Sequence, residues 1–210
     1  MKIGIMGTGR VGTTLGRRWA EAGHDVLFGS RDPQSERVRS LLETIGNGVS
    51  AAGPQEALRH GEVVVLAIPW NQALRILKEA SGLTGKIVVD CINPLTDDFQ
   101  GIALGFDTSA AEQIALAADG AHVVKAFNTV STATMEDPVY AGQRASMFYC
   151  GDDAEAKQVI GTLAEQLGLE AVDAGPLKIA RYLEPLAMLY IHLAVREGWG
   201  ANCAFKILKR

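Results

Sequence analysis

The residues best suited to chemistry stand near the start of the chain, where Gly7-Thr8-Gly9-Arg10-Val11-Gly12 follows the apolar run Lys2 to Met6 and precedes a stretch with helical spacing. Glycines at this spacing between a strand and a helix have separate tasks: Gly7 permits a tight turn, Gly9 lets backbone approach a pyrophosphate, and Gly12 lets the helix pack close to the strand. Free N–H groups and the helix dipole then hold phosphates without a lysine. The next apolar run, Asp25 to Gly29, continues as Ser30-Arg31. A site that recognises a ribose 2′-hydroxyl carries Asp or Glu at this point; a hydroxyl plus a guanidinium suits a 2′-phosphate, with Arg31 pairing with the phosphate or stacking on adenine. The pair therefore selects NADP(H) over NAD(H). Asp32, one step later and followed by Pro33, is read as capping the next helix, while Arg10 and Arg37 are secondary phosphate candidates that serve equally well as solvated surface.

Ligands of open α/β sheets lie outside the carboxyl ends of the strands, so the other strand ends are read together. They are Ile68-Pro69-Trp70, Cys91-Ile92-Asn93-Pro94 and Asn128-Thr129-Val130. This set is apolar, with amides and hydroxyls. It contains no Ser-His-Asp grouping, no paired carboxylates and no Cys-His arrangement, which counts against hydrolysis. Hydride transfer asks mainly for two oriented rings and exclusion of water. Trp70 serves equally as core packing, and turn chemistry accounts for Asn93-Pro94 almost as well as a ligand role. Lys125 lies inside an expected strand, where a structural role is favoured over that of a catalytic lysine.

The elements that must position these residues alternate. Strands are expected at Lys2 to Met6, Asp25 to Gly29, near Val49, Val63 to Ile68, Lys86 to Ile92, Ala121 to Phe127, Ala145 to Cys150 and Glu170 to Asp173, with helices between them and a long apolar helix from Leu177 to Arg196. The stretch Asn128 to Gln143 reads as loop. Such alternation gives a Rossmann-type, doubly wound, mostly parallel α/β sheet with right-handed crossovers. Residues 1–143 are expected to form the nucleotide-binding domain. Residues 144–210 are expected to form a small strand-helix-strand-helix extension packed on the same sheet and contributing to a dimer.

Composition agrees with one compact unit: 210 residues, 48% hydrophobic and 21% charged. A net charge of -4 provides no general attraction for nucleic acid or anionic membrane. No apolar run reaches the length of roughly 18 residues that a membrane span requires, and the start lacks a signal-peptide pattern. Three scattered cysteines, Cys91, Cys150 and Cys203, argue for buried thiols and a reducing cytoplasm rather than disulfides. The four histidines show no metal-ligand spacing.

Taken in order, Gly-Thr-Gly-x-x-Gly at 7–12, Gly-Ser-Arg at 29–31, Ala-Ile-Pro-Trp at 67–70, Val-Lys-Ala-Phe-Asn-Thr at 124–129, Cys-Gly-Asp-Asp at 150–153 and Asp-Ala-Gly-Pro-Leu at 173–177 resemble the coenzyme F-420-dependent NADP oxidoreductases. The chain is also similar to the cytosolic reductase domain of six-transmembrane metalloreductases. The resemblance implies a homodimer with NADPH bound near Thr8, Ser30 and Arg31. It further implies a flavin or deazaflavin ring (coenzyme F-420, FMN or FAD) stacked on the nicotinamide near Ile68, Pro69, Trp70 and the segment Asn128 to Val130. Cofactor-binding candidates are thus Gly7, Thr8, Gly9, Arg10, Val11, Gly12, Ser30, Arg31, Ile68, Pro69, Trp70, Asn93, Asn128 and Thr129. The chain departs from the archaeal pattern in carrying Asn128 in place of histidine, and Gln34 and Ser35 in place of a basic residue. Reduction of a small carbonyl or imine, and non-catalytic sensing of NADPH, are the alternative functions.

Overall fold

The computed structural model describes residues 1–46 and 48–210. Strands β1 (Lys2–Met6), β2 (Asp25–Gly29), β3 (Val49–Ala52), β4 (Val63–Leu66), β5 (Ile87–Asp90) and β6 (His122–Lys125) are all parallel and lie in the order β3-β2-β1-β4-β5-β6. The sheet reverses between β1 and β4, which opens a crevice at the carboxyl ends of those strands. Between the strands run α1 (Arg10–Glu21), α2 (Glu36–Ile45), α3 (Pro54–His60), α4 (Trp70–Lys78) and α5 (Ala110–Ala117).

The run Val63-Val64-Val65-Leu66 shows why the strands read as continuous apolar stretches. Val63 and Val65 pack with Leu15 and Trp19 of α1 on one face, while Val64 and Leu66 pack with Leu58 of α3 and Leu77 of α4 on the other. Side chains alternate across a strand, so a sheet covered on both faces needs an apolar residue at every position. Each fully buried Val or Leu contributes roughly 1.5–3 kcal/mol.

After β6 the alternation breaks. The stretch expected as loop contains α6 (Thr132–Glu136) and a hairpin of β7 (Val139–Tyr140) and β8 (Gln143–Arg144). Elements of two to five residues are too short to show a period. Ser131 nevertheless caps α6, its Oγ accepting from the Thr134 N–H at 3.0 Å. The chain then re-enters the sheet as β9 (Ser146–Gly151), antiparallel to β6, and after α7 (Ala154–Gln166) adds β10 (Glu170–Asp173), parallel to β9. The long C-terminal helix is divided into a 3-10 turn at Leu177–Ile179, α8 (Ala180–Ile191) and a π turn at His192–Arg196. Cys91 and Cys150 are buried free thiols, whereas Cys203 is half-buried.

The C-terminal elements are tied to the sheet through a buried charge. Lys125 at the end of β6 is 0% exposed, and its ammonium donates to Asp90 Oδ2 of β5 at 2.9 Å, to Glu184 Oε1 of α8 at 2.9 Å, and to the Ile92 carbonyl. Burial works against the charged ammonium. The attraction of Asp90 and Glu184 outweighs it and holds the Lys125 pKa above its ordinary value. Glu184 also accepts from the Ala110 and Ala111 N–H groups, at 3.0 and 3.3 Å, where the positive end of α5 meets it. Lys125→Met strands two carboxylates in the interior, which costs about 3–5 kcal/mol. The expected result is a melting temperature lower by on the order of 10 °C for a chain of this size; a calorimetric shift below about 2 °C would refute the role of this ion cluster.

Candidate dinucleotide site

The glycine loop divides its work by steric contact. Gly7 has φ +115°, and a Cβ there would lie 2.3 Å from the Ala67 carbonyl oxygen at the end of β4. A Cβ on Gly12 would lie 2.3 Å from the Gly7 carbonyl oxygen, which is how closely α1 sits on the turn. Gly9 is different: nothing lies within 4 Å of its Cβ position, and its φ of -79° suits any residue. The fold demands glycine at positions 7 and 12, and leaves the space over Gly9 open. Helix α1 begins directly after Gly9, with no side-chain cap and no acidic residue in its first turn. The first N–H groups of α1 therefore meet that open space with no internal anion to satisfy them.

A cavity of about 730 Å³ opens beside the loop. Its walls carry Gly7, Thr8, Gly9, Gly29, Ser30, Arg31, Ile68 and Pro69, so the strand ends of β1, β2 and β4 converge as the switch-point rule requires. A second, shallower groove of about 610 Å³ shares Thr8 and Gly9 and holds Arg10, whose guanidinium donates to Thr132 Oγ1 at 3.4 Å. Arg37 borders both spaces and donates to the Thr8 carbonyl at 3.1 Å, bracing the loop from α2. Asp32 does not cap α2. The N-cap is Ser35, and Asp32 Oδ1 accepts from the Gln34 N–H at 3.3 Å in a tight turn, while Ser30 Oγ accepts from the Asp32 N–H at 3.2 Å.

The remaining candidates lie away from this cavity's walls. Val11, in the first turn of α1, packs against the core, and Trp70, the first residue of α4, is half-buried against it. Asn93 and Asn128 bond each other: Asn93 Nδ2 donates to the Asn128 carbonyl at 3.0 Å, and Asn128 Nδ2 donates to Asn93 Oδ1 at 3.1 Å. Asn128 Nδ2 also reaches the Leu183 carbonyl of α8 at 3.0 Å. Asn93 stands one residue after Ile92, whose N–H donates to Asp90 at 2.8 Å and whose carbonyl accepts from Lys125, so the buried ion cluster sets the height of this amide pair. Phe127, just before Asn128, has φ +63°, and its ring meets Trp19 edge-on at 5.6 Å. A buried aromatic in that conformation is costly, and surrounding packing must enforce it. Among the described residues, two buried oxygens, Asn128 Oδ1 and Thr129 Oγ1, have no hydrogen-bond partner. Orphaned acceptors of this kind suit a polar ligand edge.

Sequence reasoning missed the α4 side of the cavity, formed by Gln72, Arg75 and Ile76 of α4 and its C-cap Glu79, together with Pro54 and Gln55 from α3. These four residues recur at i, i+3, i+4 and i+7, so the face was visible as a period, but not what it faced. Nor do the two buried cysteines offer a nucleophile: burial pushes the Cys150 thiol up to about 12 and raises Cys91 as well.

The open cradle at Gly9, the uncapped α1 terminus and the neighbouring cavity fit a dinucleotide pyrophosphate. Gly9→Val is expected to fold with an unchanged melting temperature and to lose dinucleotide binding by at least about tenfold, whereas Gly12→Val destabilises the fold itself by roughly 1–3 kcal/mol or more. Parallel thermal melts and cofactor titrations separate the two; equal behaviour of the variants would contradict the division of roles.

Comparison with known proteins agrees with this geometry. The family description "NADP oxidoreductase coenzyme F420-dependent" matches residues 2–94. The F420-dependent NADP reductase of Methanothermobacter marburgensis is 32% identical over 213 residues, covering 94% of each chain. Metalloreductase STEAP3 of Rattus norvegicus is 32% identical over 190 residues, which span 90% of this chain and 37% of that protein. The crystal structure of a candidate F420-dependent NADP-reductase from Arthrobacter sp. FB24 superposes with a TM-score of 0.89 at 34% identity, covering both chains completely. With near-complete coverage in sequence and structure, this chain belongs to the family of coenzyme F420-dependent NADP oxidoreductases.

Proposed function

We propose that the chain transfers hydride between NADP(H) and a deazaflavin of the coenzyme F-420 type, with flavins as related acceptors. One observation carries the donor side: the wall of the cavity beside the glycine loop presents Ser30 and Arg31, and no carboxylate at the tip of β2, to the ribose end of a dinucleotide. The reductases of three methanogens, each 31 or 32% identical over more than nine tenths of this chain, support the acceptor by their names.

In this reading the α1 N–H groups and the loop backbone hold the pyrophosphate. Ser30 and Arg31 bind the 2′-phosphate, and Ile68 and Pro69 line the path toward the reacting rings. Trp70, Asn93, Asn128 and Thr129 form the far end of the site. Asn128 Oδ1 and Thr129 Oγ1, buried and unpaired, accept hydrogen bonds from the amide edge of a bound ring and so fix its orientation. Bound NADPH supplies the hydride, which leaves the chain the tasks of alignment and exclusion of water. Residues 144–210 act as an extension that adds β9 and β10 to the edge of the sheet and forms a homodimer contact. Exposed Tyr182, Leu189, Val195 and Trp199 support that contact, and the free cysteines support a cytoplasmic setting.

Arg31→Ala removes a charged hydrogen bond of roughly 1.5–3 kcal/mol and is expected to weaken NADPH binding by roughly 10- to 150-fold while changing NADH much less. Fluorescence titration of both cofactors checks this, and equal losses would reject the 2′-phosphate role. For the reaction, loss of the nicotinamide absorbance band on mixing protein, NADPH and a deazaflavin is expected. No turnover with a deazaflavin or with FMN would reject the hydride-transfer reading.

A further inference from the structure

We infer that Arg75 is a second specificity-determining residue for the 2′-phosphate, acting from a different element of the cavity that Arg31 lines; this rests on the NADP reading above. Gln72, Arg75 and Ile76 of α4, with Glu79 just beyond its end, line the same cavity that Ser30 and Arg31 border from the tip of β2. Both guanidiniums are exposed, and neither has a hydrogen-bond or ion-pair partner among the described residues. The other arginine on that wall, Arg37, is committed to the Thr8 carbonyl. Of the two acids lining the cavity, Asp32 accepts from Gln34 and Glu79 is not ion-paired with Arg75.

The chemistry of the ligand asks for more than one guanidinium. A phosphate monoester carries a charge of about -1.5 to -2 at neutral pH and three acceptor oxygens. One arginine fork satisfies two of those oxygens. Ser30 Oγ, already an acceptor for the Asp32 N–H, has one proton left to donate. A second fork from α4 supplies the missing positive charge and grips the phosphate from the other side. Because the two cations come from different elements, the cavity between β2 and α4 closes on the phosphate, and its width becomes part of the selection.

Calorimetric titration with 2′,5′-ADP and 5′-ADP tests the assignment without relying on turnover. Arg75→Gln is expected to weaken 2′,5′-ADP about fivefold or more while leaving 5′-ADP within about twofold, and Arg75→Lys, which keeps the charge but not the fork, is expected to fall between Arg75→Gln and the unaltered protein. Equal weakening of both ligands would show stacking on adenine and overturn the proposal, as would an unchanged preference for 2′,5′-ADP. Absence of any such preference in the unaltered protein overturns it together with the NADP reading. A preference abolished in Arg31→Gln but intact in Arg75→Gln overturns it alone.

Discussion

A single buried ammonium group organises the half of the molecule that lies beyond the glycine loop. Lys125 is inside the protein, where an isolated charge would be prohibitively costly, so it persists only because Asp90 and Glu184 come to it from β5 and α8. Two carboxylates against one ammonium leave an excess of negative charge, and the N-terminus of α5 offsets it by donating two backbone N–H groups to Glu184. Four elements are thereby held at fixed distance: β5, β6, α5 and α8. The C-terminal helix is specified by this geometry as much as by its apolar contacts, since sliding α8 by one residue would leave a buried lysine and aspartate facing an apolar side chain.

The two ends of the site have opposite physical character. Around Gly9, Ser30, Arg31 and Arg75 the surface is open, cationic and only partly engaged in internal bonds. Such a surface suits capture of a charged, hydrated ligand. Around Asn93, Asn128 and Thr129 the protein is more closed, and the amides are cross-linked to each other and to the Leu183 carbonyl. In the proposed reading that array of dipoles orients a ring and keeps water away, which suits hydride transfer better than hydrolysis. Elsewhere on the surface, Arg181 pairs with Glu112 and Lys157 with Asp173.

Local patterns in the chain were enough for most of the scaffold. Strands β1 and β2 fall on the residues that their apolar runs mark, because a strand covered on both faces is apolar along most of its length; β10, a half-buried edge strand, also falls where it was expected. The glycine loop was equally legible, since its requirements are backbone requirements: Gly7 and Gly12 are dictated by carbonyl oxygens 2.3 Å from where a side chain would begin. The short helix α6 and the hairpin of β7 and β8 were not, because elements of so few residues carry no period. The helical face of α4 was legible as a face and silent about its destination.

The sequence by itself thus determined the alternation of strands and helices, the glycine loop and the Ser30-Arg31 pair, each of which depends on residues within a few positions of one another. Only the tertiary structure decided that Lys125 is an internal counter-ion, that Asn93 and Asn128 form one unit, and that Arg75 and Arg31 line the same cavity. Each joins positions 35 or more residues apart. The physical reason is that charge pairing and hydrogen bonding act through space over a few ångströms, and the pairing of distant segments is set by the packing of the whole sheet rather than by any local run of residues.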